Sequence, residues 1–541
     1  MAGRPIQISF LIILILFPAI GLTQEKMVVR FESPAPDMIA QALSTEADIA
    51  GFKPGEYLDM VITGQQYDAL IDQGKKIRIM QTEAGHKANL QSTGYRDYNT
   101  LIAELQSLVQ TYPQLCRVVD IGDSYAKIYS NQGNTHYDAM KHDIWVVKIS
   151  DNVDMTEDEP AVYFLGGHHA REPIGVEVTM TILNYLLEQY AVNDTVKNYL
   201  DNTEIWFIPL VNPDGHQVVL SEMDVWWRKN IRDNNHNNRY DRHLISRDGN
   251  GVDGVDLNRN YDFEWGVSGS SAIPRSSIYR GSSGNSEPEV QAVLSLMAYR
   301  KFVAGISYHS YGELVMFPYG YAADAYAPDW QAMGALAEDM AKAIPGISGG
   351  NYLAQPAWKL YPCSGTTDDY AYGMYGTFLY TIELATEFIP AAEQVWQICQ
   401  DNIQGATVML DRLNRSLATG HVVDAATGLP IVAEVFVTGI DDSPIYRAPI
   451  TSEPLFGRYY RLLLPGTYQM TFSKPGYTTV TFNTVSVNAT GQTVLEVRLA
   501  PIVEKADGVT TNRGKHSGSA AVGRSDGLAV SQYARLKSQY G

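Results

Sequence analysis

A chain of 541 residues exceeds one ordinary domain and leaves room for three or four. With 45% hydrophobic and 19% charged residues it has ample material for a packed core. Its formal net charge of −19 argues against nucleic-acid binding, which needs concentrated Lys and Arg; such a surface serves solubility and favours cationic substrates.

The N-terminus has the layout of a secretory signal over residues 1–23. Arg4 supplies positive charge, residues 8–22 are apolar, and small residues around Gly21 and Thr23 permit cleavage. The apolar run is short for a bilayer span and contains Pro18. Export to an extracellular or periplasmic space is expected, with no membrane attachment after cleavage. Only Cys116, Cys363 and Cys399 occur, too few for a disulfide scaffold although compatible with one bridge.

Residues 27–31, 57–62 and 76–80 read as strands, and 37–44 and 65–73 as helices, giving a small α/β module of the split βαβ type over residues 24–81. Residues 82–94 are polar and turn-rich, an expected linker with Lys87 as a cleavage point. From Tyr95 the units lengthen. Leu101, Ile102, Leu105, Leu108 and Val109 form one helix face, ended before Pro113. Apolar strands follow at 144–147, 161–165, 204–210, 303–308 and 377–382, with helices between several of them. This pattern predicts, for residues 95–415, an α/β fold: a mainly parallel mixed sheet covered by helices on both faces. Ser286-Glu-Pro-Glu289 predicts a capping box at the head of one of those helices. From Gly420 helical periodicity stops and short strands alternate with Gly and Pro turns; residues 418–501 are expected to form an all-β sandwich. Residues 502–541 lack periodicity and are expected to be disordered.

Three strands deliver polar groups from their C-terminal ends. The first leads into Gly166-Gly167-His168-His169-Ala170-Arg171-Glu172, the second ends at His309-Ser310-Tyr311 and the third at Glu383. In open α/β sheets ligands bind outside the carboxyl ends of strands, so these groups can converge. Two His, one Glu and a further Glu are what a hydrolytic zinc site requires: three ligands and a general base beside the attacking water. Arg259 can hold a carboxylate in a forked pair, and Arg228 can stabilise the oxyanion formed on an attacked carbonyl.

With these residues in view the chain resembles the secreted zinc carboxypeptidases of the carboxypeptidase A and B family. The likeness runs through His169-Ala-Arg-Glu172, Asn212-Pro-Asp-Gly215, Trp227-Arg-Lys229, Asn258-Arg-Asn260, His309-Ser-Tyr311, Tyr361-Pro-Cys-Ser-Gly365 and Ile382-Glu-Leu384, in family order. The resemblance implies Zn2+ held by His169, Glu172 and His309, with His168 the rival ligand. It makes Glu383 the base and Arg228 the carbonyl clamp, with Asn258, Arg259 and Tyr361 holding the substrate's terminal carboxylate. Asp368, seven residues after Tyr361, matches the position facing the substrate's last side chain, which implies release of C-terminal Lys or Arg; adjacent Asp369 competes for that role. The N-terminal module resembles the family's pro-segment, implying a zymogen and an activating protease, and the all-β module resembles a transthyretin-like domain. Asp233-Asn-Asn-His-Asn-Asn-Arg-Tyr-Asp241 is oxygen-rich enough for calcium but lacks the Gly and terminal Glu of an EF-hand, so a solvated loop is expected. The rivals are an endo-acting or cell-wall peptidase on the same fold, and a non-catalytic peptide- or surface-binding protein.

Overall fold

The computed structural model of the protein describes residues 25–44, 47–53, 55–241 and 251–502. The signal expected at residues 1–23 and the tail expected to be disordered lie outside these, apart from Ile502. An N-terminal sheet is built from β1 (Lys26–Glu32), β2 (Ile49–Lys53), β3 (Tyr57–Thr63) and β4 (Arg78–Thr82), in the order β2-β3-β1-β4 with every neighbour antiparallel. Val29, Phe31, Leu58, Met60 and Ile62 alternate along β1 and β3 and form its core. β2 is a further strand that the sequence periodicity does not predict, five residues interrupted by Gly51.

The expected linker is instead a helix, Glu83–Thr93. The Thr82 side chain caps it by accepting from Gly85 N, Gly94 closes it in the left-handed conformation, and His86 and Leu90 are buried. The His86 ring lies 4.0 Å from that of Trp226. Lys87 sits within this helix and pairs with Glu83 at 2.9 Å, so a protease meets helical rather than extended backbone there.

The central sheet has eight strands: β5 (Cys116–Asp123), β6 (Asp143–Ile149), β7 (Ala161–Leu165), β8 (Glu204–Ile208), β9 (Phe302–Ser310), β10 (Leu314–Phe317), β11 (Leu353–Pro356) and β12 (Phe378–Leu384). Their order is β11-β10-β12-β9-β7-β8-β6-β5. The four inner strands β12, β9, β7 and β8 are mutually parallel, whereas β10, β6 and β5 join antiparallel. Every residue of β7, β8 and β9 is buried. Side chains alternate between the two faces of a strand, so both faces are covered. Each of the larger apolar side chains so buried contributes about 1.5–3 kcal/mol.

The expected capping box does not form. Helix Pro288–Tyr299 starts at Glu287 with no side-chain cap. Ser286 Oγ instead donates to Glu287 and accepts from Asn260, while the Glu289 carboxylate accepts from Tyr125 N at 2.8 Å and Asn230 Nδ2 at 3.0 Å. Tertiary partners outcompete the local motif at this helix start.

The C-terminal module contains β13 (Arg415–Asp424), β14 (Glu434–Val437), β15 (Arg458–Leu462), β16 (Gly466–Ser473), β17 (Val480–Val487), β18 (Gly491–Val494) and β19 (Val497–Leu499). One sheet joins β15, β13 and β18, with β19 also on β13; the other runs β14-β16-β17. Val422, Val435, Tyr459, Met470, Phe472 and Val485 from both sheets share one core. All three cysteines are free thiols.

Candidate active site

The turn after β7 is dictated by two glycines. A Cβ on Gly167, whose φ is +67°, would lie 2.7 Å from Leu210 Cδ1, and one on Gly166 would lie 2.6 Å from the Pro209 carbonyl oxygen. Only residues without a side chain let the backbone pass there before helix Ile174–Gln189 begins. His168 and His169 emerge from this turn.

His169 Nδ1 lies 2.9 Å from Glu172 Oε1 and 3.1 Å from His309 Nδ1, and His309 Nδ1 lies 3.2 Å from Glu172 Oε2. Donors at about 2.0–2.1 Å from a tetrahedral zinc ion stand about 3.3 Å apart, so these three are already at ligand spacing. The far side of each imidazole is held by another group. His309 Nε2 lies 3.1 Å from Ser307 Oγ, and His169 Nε2 lies 3.2 Å from Asp256 Oδ1, an ion-pair distance without hydrogen-bond alignment. Partners of this kind leave Nδ1 of each ring as the ligating atom, so the residues present fit a zinc ion. All three side chains are buried. Burial disfavours the charged form of both histidines. In His309 the Glu172 carboxylate outweighs it and raises the pKa, whereas in His169 burial and the Arg228 charge prevail and lower it.

His168, the rival ligand, points elsewhere. Its Nε2 meets Tyr261 Oη at 3.0 Å and Thr367 Oγ1 at 3.1 Å, while Nδ1 faces Ser307 Oγ at 3.4 Å.

Parallel pairing of β12 with β9 sets Glu383 opposite His309. Burial, reinforced by the Glu172 charge, pushes the Glu383 carboxyl up to about 7 against the pull of His309, Arg228 and Arg259. A carboxyl poised near neutrality can both take and return a proton. Arg228 Nε donates to Asp256 Oδ2 at 2.8 Å, and its Nη1 lies 3.6 Å from Glu172 Oε1. Asp256 therefore bridges the His169 imidazole and the Arg228 guanidinium. No sequence pattern singles it out, although it lies two residues before Asn258 in the same polar stretch.

Arg228, Asn258, Arg259, Tyr361, Asp368 and Glu383 line one cleft with His169 and Glu172. Arg259 is anchored by Nε donating to the Gly269 carbonyl at 2.9 Å and Nη1 to that of Asn258 at 2.8 Å. Asn258 Oδ1 accepts from Thr367 N and Oγ1, both at 2.9 Å, at the start of helix Thr367–Tyr375. Burial raises the Tyr361 phenol, with Arg259 opposing. The two neighbouring acids differ in placement. Asp368 lines the cleft, whereas the Asp369 carboxylate accepts from Gly320 N and Tyr321 N.

Arg171, between His169 and Glu172, forms a forked pair with Asp48, Nη1 at 2.8 Å and Nη2 at 2.7 Å. Ile49, Ala50 and Gly51 of β2 line the cleft, and Tyr311 Oη donates to Asp59 Oδ2 of β3 at 2.8 Å. The N-terminal sheet thus contacts the rim of the site. In the oxygen-rich loop the carboxylates of Asp233 and Asp253 accept backbone N–H groups from Asn237, Asn238, Asn234 and Asp241, closing the loop on itself. Among the described residues, the site cluster is the one group of His and acid donors wholly buried at metal-ligand spacing.

A parallel sheet core that collects two imidazoles and two carboxylates beside buried arginines is the framework of a metal-dependent peptide hydrolase. The chain belongs to the zinc carboxypeptidase family: the family model, peptidase M14, matches residues 101–405. It is similar to a zinc carboxypeptidase of Saccharothrix mutabilis subsp. capreolus, 28% identical over 392 residues, 68% of this chain and 83% of that one. Carboxypeptidase B of Astacus astacus is 30% identical over 329 residues, 59% of this chain and 96% of that one. In fold it resembles the crystal structure of carboxypeptidase A from Helicoverpa armigera, with a TM-score of 0.59 at 21% identity, over 71% of this chain and 96% of that one. The protein is a metallocarboxypeptidase, a zinc hydrolase acting on peptide C-termini.

Proposed function

We propose that His169, Glu172 and His309 hold the zinc, that Glu383 is the general base and acid, and that the enzyme releases C-terminal Lys and Arg. Zinc, when bound, supplies Lewis acidity toward water and the scissile carbonyl. Glu383 takes the proton of the attacking water and passes it to the leaving amine, so that proton ends on the released amino acid. The Arg228 guanidinium, held by Asp256, meets the charge that develops on the carbonyl oxygen. Asn258, Arg259 and Tyr361 bind the terminal carboxylate. The observation that carries this reading is their convergence, with Asp368, on the cleft lined by His169 and Glu172.

A mixed peptide library incubated with the enzyme is expected to yield free amino acids, Lys and Arg foremost. Chelation should abolish release, and added Zn2+ should restore it. Internal fragments in place of single residues would overturn the exo assignment. Asp368→Ala is expected to lower kcat/KM on Lys- and Arg-terminated peptides on the order of 100-fold, with little change on Phe-terminated ones, because one partner of a desolvated charge pair is removed. Parallel losses on Lys and Phe substrates would remove Asp368 from the specificity role.

The N-terminal module is read as a pro-segment that keeps the enzyme latent until an activating protease removes it. Support comes from the Arg171–Asp48 pair, the Tyr311–Asp59 bond and the seating of Ile49, Ala50 and Gly51 over the cleft. Removing residues 24–94 is expected to raise kcat/KM at least about tenfold, the effect of unblocking a site whose open state is populated 10% or less. Equal activity of full and trimmed chains would sink the latency reading. Export rests on the signal-like residues 1–23, and the C-terminal module is read as a transthyretin-like appendage.

A further inference from the structure

We infer that the C-terminal module serves as a positioning element for the specificity pocket: its Arg447–Ala448 segment holds the helix that carries Asp368. That helix, Thr367–Tyr375, presents Asp368 to the cleft from its first turn. One turn further on, Tyr372 faces the other module. Its hydroxyl donates to Asp329 Oδ2 at 2.7 Å and accepts from Asp329 N at 2.9 Å. Arg447 stands 5.7 Å above the Tyr372 ring centroid and pairs with Asp441. Arg461 of β15 reaches Asp329 Oδ1 at 3.3 Å and Asp441 Oδ2 at 2.5 Å.

Two cations and two anions are thereby buried together beside Tyr372, none with a side chain more than 8% exposed. Buried charges tolerate little displacement, because a shifted partner leaves the other uncompensated. The backbone joins the contact as well: Ala448 N donates to the Gly373 carbonyl at 2.7 Å. Gly373 has no room for a side chain, since a Cβ would fall 2.2 Å from the Phe263 ring. Tyr446 of the same segment accepts through its carbonyl from Tyr319 Oη at 2.8 Å, next to Gly320 and Tyr321, whose amides hold Asp369. The module therefore grips the Asp368 helix at its far end and, through residues 319–321, at the residue beside Asp368. A helix so held places the acid reproducibly in the pocket, and geometric slack there appears as weaker binding of the side chain that the acid recognises.

The inference rests on Asp368 as the pocket acid, and the test separates the two. Peptides ending in Lys and in Phe are compared for kcat and KM on the full chain under one activation protocol. The variants are Asp368→Ala, Arg447→Met, Tyr372→Phe and Arg447→Lys. Arg447→Met and the milder Tyr372→Phe are expected to raise KM for the Lys peptide about tenfold, with kcat and the Phe peptide within about twofold of wild type. Arg447→Lys, which keeps the charge, should recover most of the loss. If Asp368→Ala changes the Lys/Phe ratio while both module-contact variants leave it untouched, the positioning role is overturned and the pocket reading stands. If Asp368→Ala leaves the ratio unchanged, the pocket reading fails and takes the inference with it. Parallel loss on both peptides in Arg447→Met and Tyr372→Phe would mean general structural support and would also overturn it.

Discussion

Glu383→Gln is expected to leave the zinc content at one per chain and to lower kcat by about 10³–10⁴, the upper range for loss of a general acid–base group. The substitution is nearly isosteric, so the packing around the end of β12 is retained. Its amide can neither accept the proton of the attacking water nor return one to the leaving amine. The donors that would hold the metal lie on β9 and the β7 turn, where Asp256 and Ser307 flank the two imidazoles and Ser310 N donates to Glu172. Metal content and turnover should therefore separate. Metal analysis beside kcat on a Lys-terminated peptide checks this. Near-normal kcat would remove Glu383 as the base, and loss of zinc would show that it also ligates or supports the metal.

The groups that were legible in the sequence are those attached to strong periodic signals. His169 and Glu172 follow the apolar run that becomes β7, and His309 and Glu383 close the runs that become β9 and β12, so strand order alone brings them to one sheet edge. What remained illegible depends on partners distant in sequence. Asp256 carries no pattern of its own, and its meaning appears only when His169 and Arg228 are seen on either side of it. Arg171 finds Asp48 across 123 residues. The choice between Asp368 and Asp369 turns on about 100° of helical rotation, which sequence cannot orient without knowing where residues 320–321 lie.

Local misreadings have equally local causes. β5 contains Arg117, Asp120, Gly122 and Asp123, and β10 and β11 have four residues each, too few for an alternating pattern to register. Helix Glu83–Thr93 hid behind a polar composition, yet its two ends carried signals: Thr82 as an N-cap and Gly94 as a left-handed stop. At Ser286 the opposite happened. A well-spaced capping motif was present, and Asn260, Tyr125 and Asn230 drew its side chains elsewhere.

Arg259→Met is expected to lower kcat/KM on free-acid peptides by about 10³, equivalent to about 4 kcal/mol, the range for truncating one partner of a desolvated, hydrogen-bonded charge pair. Arg259 also donates to the carbonyls of Gly269 and Asn258, and orphaning them costs about 1–3 kcal/mol each. Comparing two substrates on the same variant removes that term. A peptide whose terminal carboxylate is replaced by an amide offers the guanidinium no anion, so the wild-type enzyme should strongly prefer the free acid. In Arg259→Met the structural damage weighs on both substrates alike, whereas the missing charge weighs on one. The free-acid to amide ratio should therefore collapse toward unity, with the amide rate falling only as far as the structural loss requires. An unchanged ratio would mean that Arg259 does not read the terminus. The endo-acting alternative would then regain its standing, because the capacity to recognise a chain end is what separates a carboxypeptidase from an internal peptidase on this fold.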